Sequence, residues 1–139
     1  SELDLKGVVT FIPWLPNEQL PNIYCSADVF LYPSIPYRGW QEQFGYSIAE
    51  ASLCGLPVVS TMSGSVDEAL VDGQTGFLVE PEDPAGLAAA MERLVADPEL
   101  RARLGRQGRA FIQERFSNDV IAQKLFTLFH DVATHTTTR

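Results

Sequence analysis

Short apolar runs alternate with helix-like segments along this chain, and this alternation restricts its fold more than any other feature. The runs GVVTFI, DVFLYPS, LPVVST and GFLVE are rich in β-branched and aromatic residues and do not alternate polar with apolar positions. Strands of this kind are buried on both faces, as in parallel sheets covered by helices. The sequence predicts an α/β fold with four parallel strands, which lie in 8–12, 28–34, 56–61 and 76–80.

The first two helices are predicted from residues at their ends. Asn17 is placed to cap a helix over 17–27, because its side chain can accept a hydrogen bond from a free backbone amide. Gly55 follows the helix predicted over about 45–53 and suits the left-handed conformation that ends many helices.

Four further helices are predicted downstream. They are a short helix in SVDEALV with a Ser65–Glu68 capping box, one after Asp83-Pro84, one from Pro98 to about Glu114 after Asp97-Pro98, and one after Ser117. Two of these helices carry apolar stripes. The stripe of the helix after Asp83-Pro84 consists of Leu87, Met91, Leu94 and Val95, and that of the helix after Ser117 consists of Ile121, Leu125, Leu128, Phe129 and Val132.

The charge balance excludes two classes of partner. The net charge is −8, and Lys6 and Lys124 are the only lysines. Nucleic acids and anionic membranes reward clustered Lys and Arg, so we expect neither as a partner. Any phosphate bound here must be held by backbone amides or by basic residues from elsewhere.

The two cysteines and the hydropathy of the chain indicate one domain from a reducing compartment. Cys25 and Cys54 have no metal-binding spacing, and two free thiols are favoured over a disulfide. No leader or membrane-spanning run is visible. We expect a cytoplasmic protein with a partial domain over 1–134 and a polar tail over 135–139, cut from a longer parent that reaches the membrane surface through another domain.

The stretch QEQFGYSIAEASLCGLPVVS combines two carboxylates with a glycine at a helix mouth. Ligands of open parallel sheets bind beyond the carboxyl ends of the strands, and free amides at a helix start favour phosphate. Gly45 permits close approach of a ligand, while Glu42 and Glu50 lie at most roughly 12 Å apart if the span is helical. The two carboxylates can hold the ends of a sugar diphosphate nucleotide, although two solvated surface glutamates would give the same pattern. Glu50 lies among small and apolar residues, so we expect it to be at least half-buried and to need a partner.

The same stretch resembles the donor-binding half of the retaining GT-B glycosyltransferases of family 4, the group 1 type. EQFGYSIAEASLCGLPVVST is similar to the family's E-x-F-G-x-x-x-x-E-A-x-x-x-G-x-P-V-V frame. SADVFLYPS before it, and GSVDEALVDGQTGFLVEPEDPAGLAAAM and ERFSNDVIAQKLFTLF after it, also resemble the family. The resemblance implies a Rossmann-like parallel sheet flanked by helices, the C-terminal half of a GT-B enzyme.

The resemblance also implies roles for single residues. Glu42 matches the catalytic-site glutamate that faces the donor sugar, and Glu50 matches the glutamate that holds the ribose. The remaining matches are the backbone of Phe44, Gly45 and Tyr46 with Ser47, which meet the sugar and diphosphate, and Leu15, whose backbone reads the base.

The family transfers a sugar from a nucleotide diphosphate to an acceptor glycan, lipid or small molecule with retention of configuration. The resemblance implies no metal and no other cofactor, and the sequence contains no Asp-x-Asp pair. The family's diphosphate-binding Arg and Lys and its acceptor domain have no counterpart here, and His130 and His135 match no catalytic position. We therefore expect a donor-site fragment that is inactive alone.

Other functions stay open at this point. A sugar-nucleotide epimerase of related fold would also bind a nucleotide but lacks this spacing of glutamates. A sugar-nucleotide binding or scaffolding module would need Glu50 but not Glu42. An exposed sheet edge would also allow the fragment to form a homodimer.

Overall fold

The computed structural model of this 139-residue chain describes Leu5 and residues 7–136. Its elements are a 3-10 turn (Asn17–Gln19), α1 (Leu20–Cys25), β1 (Phe30–Tyr32), α2 (Tyr46–Leu53), β2 (Val58–Thr61), a second 3-10 turn (Val66–Glu68), β3 (Gly76–Val79), α3 (Pro84–Ala96), α4 (Pro98–Phe116) and α5 (Asn118–Thr136). The predicted α/β order is confirmed.

The strands form a parallel sheet in the order β1-β2-β3. All of β2 is buried, and its side chains alternate between two core clusters, as the pleat of a strand requires. Val58 packs in a cluster that includes residues of α2, whereas Val59 packs in one that includes residues of α3 and α4. Helices therefore cover both faces of the sheet, and the loops at the strands' carboxyl ends are left to form a site.

The sheet of the described residues has three strands rather than four, so the strand predicted over 8–12 is wrong. Val8 is 78% exposed and Phe11 is 90% exposed, and no strand in the described part of the chain pairs with this segment. A strand requires a neighbour to bind its backbone groups, and apolar composition alone does not supply one. β1 is also shorter than the predicted strand over 28–34.

Three predicted helix boundaries are confirmed by their hydrogen bonds or backbone conformation. The Asp83 carboxylate accepts a hydrogen bond of 2.9 Å from the Gly86 amide, and the Asp97 carboxylate accepts one of 2.9 Å from the Leu100 amide. Gly55 follows α2 with φ +81°, in the left-handed region. These contacts fix where α2 ends and where α3 and α4 begin.

Other boundary predictions are wrong. Asn17 does not cap a helix, since it is itself the first residue of a 3-10 turn that leads into α1. The Ser65 side chain makes no capping bond, and the Ser65 amide, which a capping box would pair with the Glu68 side chain, donates to the Glu42 carbonyl. Only a 3-10 turn follows Ser65, and Val95, predicted within an apolar stripe, is 69% exposed.

The last helix leaves its apolar face uncovered among the described residues. The exposed side chains are Ile121, Leu125, Phe126, Leu128, Phe129 and Val132. α5 continues to Thr136, so the first two residues of the predicted tail over 135–139 are helical. Within the described residues, no helix combines the length and the hydropathy that crossing a bilayer requires.

The contact between α4 and the end of α2 predicts that two glycine substitutions in α4 change the free energy of unfolding differently. A Cβ added to Gly105 would lie 1.9 Å from the Gly55 carbonyl oxygen, whereas one added to Gly108 would lie 3.4 Å from its nearest heavy atom, the Thr75 carbonyl oxygen. Gly105→Ala should lower the free energy of unfolding by about 1–3 kcal/mol, because the backbones must move apart. Gly108→Ala should leave it unchanged or raise it by up to about 1 kcal/mol, because alanine favours helix.

Urea unfolding followed by circular dichroism measures both changes. Equal destabilisation by the two variants would contradict the close approach at Gly105.

Candidate functional site

The loop over 33–45 carries the chain from the end of β1 to the start of α2. A two-residue hairpin forms within it, with hydrogen bonds of 3.0 and 2.8 Å between the backbones of Tyr37 and Trp40. Arg38 and Gly39 occupy its tip with φ of 48° and 81°, as in a type I′ turn. The loop then brings Glu42 to the carboxyl end of the sheet, where ligands of such folds bind.

The Glu42 carboxylate is held by hydrogen bonds at both oxygens. Oε1 accepts bonds of 3.0 Å from the Gln43 amide and 3.1 Å from the Gly45 amide. Oε2 accepts a bond of 2.5 Å from the Tyr32 hydroxyl. The half-buried Glu42 side chain therefore has one fixed orientation at the mouth of α2.

These bonds keep Glu42 ionised. The Tyr32 hydroxyl is the largest cause that lowers the pKa of Glu42, and the amides of Gly45, Phe44 and Gln43 lower it further. Burial, with the bond to Glu42, raises the pKa of Tyr32 to about 12. Glu42 is thus a hydrogen-bond acceptor and a negative charge, and Tyr32 is a neutral donor, across the physiological pH range.

Gly45 turns the chain into α2 and leaves backbone donors free. Its φ of +79° is left-handed, and an added Cβ would lie 2.9 Å from Cδ1 of Ile48. Its carbonyl accepts bonds from the Ile48 and Ala49 amides. Among the described residues, the Tyr46 and Ser47 amides have no hydrogen-bond partner. Free amides at a helix start favour an anion.

Glu50 lies one turn beyond these amides and, contrary to the prediction, is exposed. Its Oε2 nevertheless accepts a hydrogen bond of 3.1 Å from the Tyr24 hydroxyl. Burial and the bond to Glu50 both raise the pKa of Tyr24.

Glu50 also lies in a mainly apolar groove of about 360 Å³ between α1 and α2. The groove is lined by Asn17, Leu20, Pro21, Tyr24, Glu50, Leu53 and Cys54. An apolar groove with one carboxylate at its edge can hold a flat ring whose hydroxyl groups reach that carboxylate.

The other predicted site residues take different positions. The Phe44 ring packs 4.9 Å from Phe116 between ring centroids, so its side chain belongs to the core and its backbone to the loop. The Tyr46 side chain is 75% exposed, and Ser47 is half-buried. Leu15 is half-buried and does not line the groove, although Asn17 does.

Two contributors were missed by the sequence analysis, Tyr32 and Tyr24, which each donate to one of the two glutamates. Gly64, which opens the family-like stretch GSVDEALVDGQTGF, lies directly against the Glu42 backbone. Tyr32 precedes Glu42 by ten positions and Tyr24 precedes Glu50 by 26, so no helical or strand spacing links either pair.

The His, Cys, Asp and Glu side chains of the described residues do not form a metal centre. The described residues contain no group of three or more His, Cys, Asp or Glu side chains that could hold a metal ion. His130 and His135 are exposed on α5, and Cys25 and Cys54 are free thiols.

Known proteins are similar to this chain in sequence and in fold. The family profile described as Glycosyl transferases group 1 matches residues 1–111. The D-inositol 3-phosphate glycosyltransferase of Corynebacterium jeikeium is 34% identical over 132 residues, which cover 95% of this chain and 30% of that protein. This chain therefore spans less than a third of that relative.

Solved structures agree with the sequence match. Sucrose-phosphate synthase from Thermosynechococcus elongatus superposes with a TM-score of 0.79 at 32% identity, over 91% of this chain and 30% of that one. Anabaena Alr3699/HepE in complex with UDP gives a TM-score of 0.74 at 28% identity, over 81% of this chain and 30% of that one. The same Anabaena protein is also known in complex with UDP-glucose. The predicted Rossmann-like fold is confirmed, and the chain belongs to the Glycosyl transferases group 1 family.

Proposed function

We propose that this chain is the donor-binding part of a retaining glycosyltransferase, which transfers a sugar from a nucleotide diphosphate to an acceptor. The proposal is carried by one observation. An ionised carboxylate, two free amides and a second carboxylate beside an apolar groove follow one another along the start of α2.

A nucleotide sugar matches this order of groups. The sugar hydroxyls donate to Glu42, and the diphosphate accepts from the Tyr46 and Ser47 amides. The ribose hydroxyls donate to Glu50, which places the base in the groove between α1 and α2. The hydrogen bonds that hold Glu42, and the one that holds Glu50, reduce the entropy lost when the ligand binds.

The proposed reaction breaks the bond between the anomeric carbon and the diphosphate oxygen. The nucleoside diphosphate leaves with the bonding electrons, the oxygen of an acceptor hydroxyl forms the new bond on the same face of the sugar, and the proton of that hydroxyl passes to the departing diphosphate. Glu42 acts through its charge and not as a proton donor, because its lowered pKa keeps it ionised. A negative carboxylate stabilises the positive charge that develops on the sugar ring.

Binding of the diphosphate calls for positive charge, whereas this chain is acidic overall. The net charge is −8, and the nearest helix start offers only its amides. We propose that basic side chains from the rest of the parent protein complete the site and that turnover requires that parent. The Anabaena structures with UDP and UDP-glucose support a nucleotide-sugar donor.

The groove and Glu50 predict selective nucleotide binding. In calorimetric titrations of the full-length parent with UDP, GDP and ADP, one nucleotide should bind more tightly than the others. Glu50→Ala should weaken that binding by about tenfold or more, because hydrogen bonds to a charged group are lost. Glu114→Ala is the control, since it removes an exposed carboxylate from α4.

Unchanged nucleotide affinity in Glu50→Ala would contradict the placement of the ribose. Absence of nucleotide binding by the wild-type parent would overturn the proposed function itself.

The charge on Glu42 predicts a separate effect on turnover. Glu42→Gln keeps the shape of the side chain but removes its charge, so release of nucleoside diphosphate from the nucleotide sugar should slow by about 100-fold or more. The affinity of the parent for the nucleotide alone should stay within about twofold, because Glu42 does not lie at the groove.

Normal turnover in Glu42→Gln would contradict the catalytic role of Glu42. A wild-type parent that binds the nucleotide sugar but does not release nucleoside diphosphate from it would favour a nucleotide-sugar binding module instead.

A further inference from the structure

We propose that Tyr32 and Gly64 are the positioning residues of Glu42, with Tyr32 directing its carboxylate and Gly64 placing its backbone. This inference rests on the proposed function, because it assigns the two residues to the sugar end of the donor site.

Tyr32 sets the direction in which Glu42 can accept hydrogen bonds. A carboxylate has about four lone-pair sites, and the closest contacts, from the Gln43 and Gly45 amides and from the Tyr32 hydroxyl, occupy three of them. The remaining lone pair belongs to Oε2. Tyr32 therefore selects the side of Oε2 from which a sugar hydroxyl can donate.

The sheet fixes Tyr32 independently of the loop that carries Glu42. Tyr32 is the last residue of β1, and its carbonyl accepts a hydrogen bond of 2.9 Å from the buried Ser60 hydroxyl of β2. The Thr61 hydroxyl likewise donates to the Ser34 carbonyl just beyond β1. The Tyr32 hydroxyl therefore holds Glu42 from the sheet and not from the loop.

Gly64 holds the backbone of Glu42 from the end of β2. The Ser65 amide donates to the Glu42 carbonyl at 3.0 Å. A Cβ added at Gly64 would lie only 1.9 Å from that carbonyl oxygen, and Gly64 also has a left-handed φ of +62°. Only glycine allows the two backbones to approach this closely.

The two contacts act on one residue from neighbouring strands. β1 holds the side chain of Glu42 through Tyr32, and the loop after β2 holds its backbone through Gly64 and Ser65. Neither residue reaches the groove at Glu50, so loss of either should affect the sugar end of the ligand and spare the nucleoside end.

Effects at the two ends of the ligand are distinguished by measuring the affinity for a nucleoside diphosphate and for the matching nucleotide sugar. The probes are UDP with UDP-glucose, GDP with GDP-mannose, and ADP with ADP-glucose, each titrated into the full-length parent. The sugar ratio is the Kd of the nucleoside diphosphate divided by the Kd of its nucleotide sugar. It reports what the sugar contributes to binding.

Tyr32→Phe should lower the sugar ratio by about tenfold and leave the Kd of the nucleoside diphosphate within about twofold, because one charge-assisted bond that orients Glu42 is lost. Tyr24→Phe should weaken binding of the nucleoside diphosphate by about tenfold and leave the sugar ratio within about twofold, since Tyr24 holds Glu50.

The pH dependence of the sugar ratio is a second readout for Tyr32→Phe. Tyr32 is the one titratable side chain among the described residues that lowers the pKa of Glu42, the other contributions being backbone amides. Removing its hydroxyl raises the pKa of Glu42. The sugar ratio should therefore fall at a higher pH in Tyr32→Phe than in the wild type as the solution is acidified.

Gly64→Ala tests the backbone contact against Gly73→Ala as a matched control. Both glycines have left-handed φ, at +62° and +69°, but a Cβ at Gly73 would meet no atom within 4 Å. Both variants thus carry backbone strain, and only Gly64→Ala pushes Glu42 away. Gly64→Ala should lower the sugar ratio by about tenfold, whereas Gly73→Ala should leave it within about twofold.

The outcomes separate this inference from the proposed function. A wild-type parent that binds none of the nucleotides overturns both. A parent whose sugar ratio is the same in the wild type, Tyr32→Phe and Gly64→Ala retains its donor site and overturns the positioning roles. Equal loss of nucleotide and nucleotide-sugar binding in Tyr32→Phe also overturns them, because it indicates a general structural role.

Discussion

The hydrogen bonds of the Glu42 carboxylate at the mouth of α2 are the interaction on which the site depends. One oxygen holds the amides of the turn that starts the helix, and the other holds Tyr32 at the end of β1. The same carboxylate therefore shapes the loop, joins it to the sheet and keeps its own charge. The two amides that follow, those of Tyr46 and Ser47, have no hydrogen-bond partner among the described residues.

The chain supplies directed hydrogen-bonding groups and little positive charge. Carboxylates at Glu42 and Glu50 accept bonds from hydroxyls, and amides at the start of α2 donate to an anion. With a net charge of −8, the domain would attract a diphosphate weakly unless other parts of the protein add cations. This division of roles agrees with a chain that spans 30% of its Corynebacterium relative.

Some local features of the sequence predicted the local structure correctly, whereas the predicted caps at Asn17 and Ser65 failed. Asp83 and Asp97 cap their helices, and Gly55 ends α2, because each depends on contacts within a few residues. The strand predicted over 8–12 failed because a strand depends on a neighbour. Tyr32 and Tyr24 were missed for the same reason, since the glutamates that they contact lie at least ten positions away and are brought close only by the tertiary fold.

A crystal structure of the full-length parent with its nucleotide sugar tests the central claim most directly. The account predicts diphosphate oxygens within hydrogen-bond distance of the Tyr46 and Ser47 amides, ribose hydroxyls at Glu50, and a sugar hydroxyl at Oε2 of Glu42. A nucleotide bound away from the start of α2, or a diphosphate that leaves both amides without a partner, would contradict it.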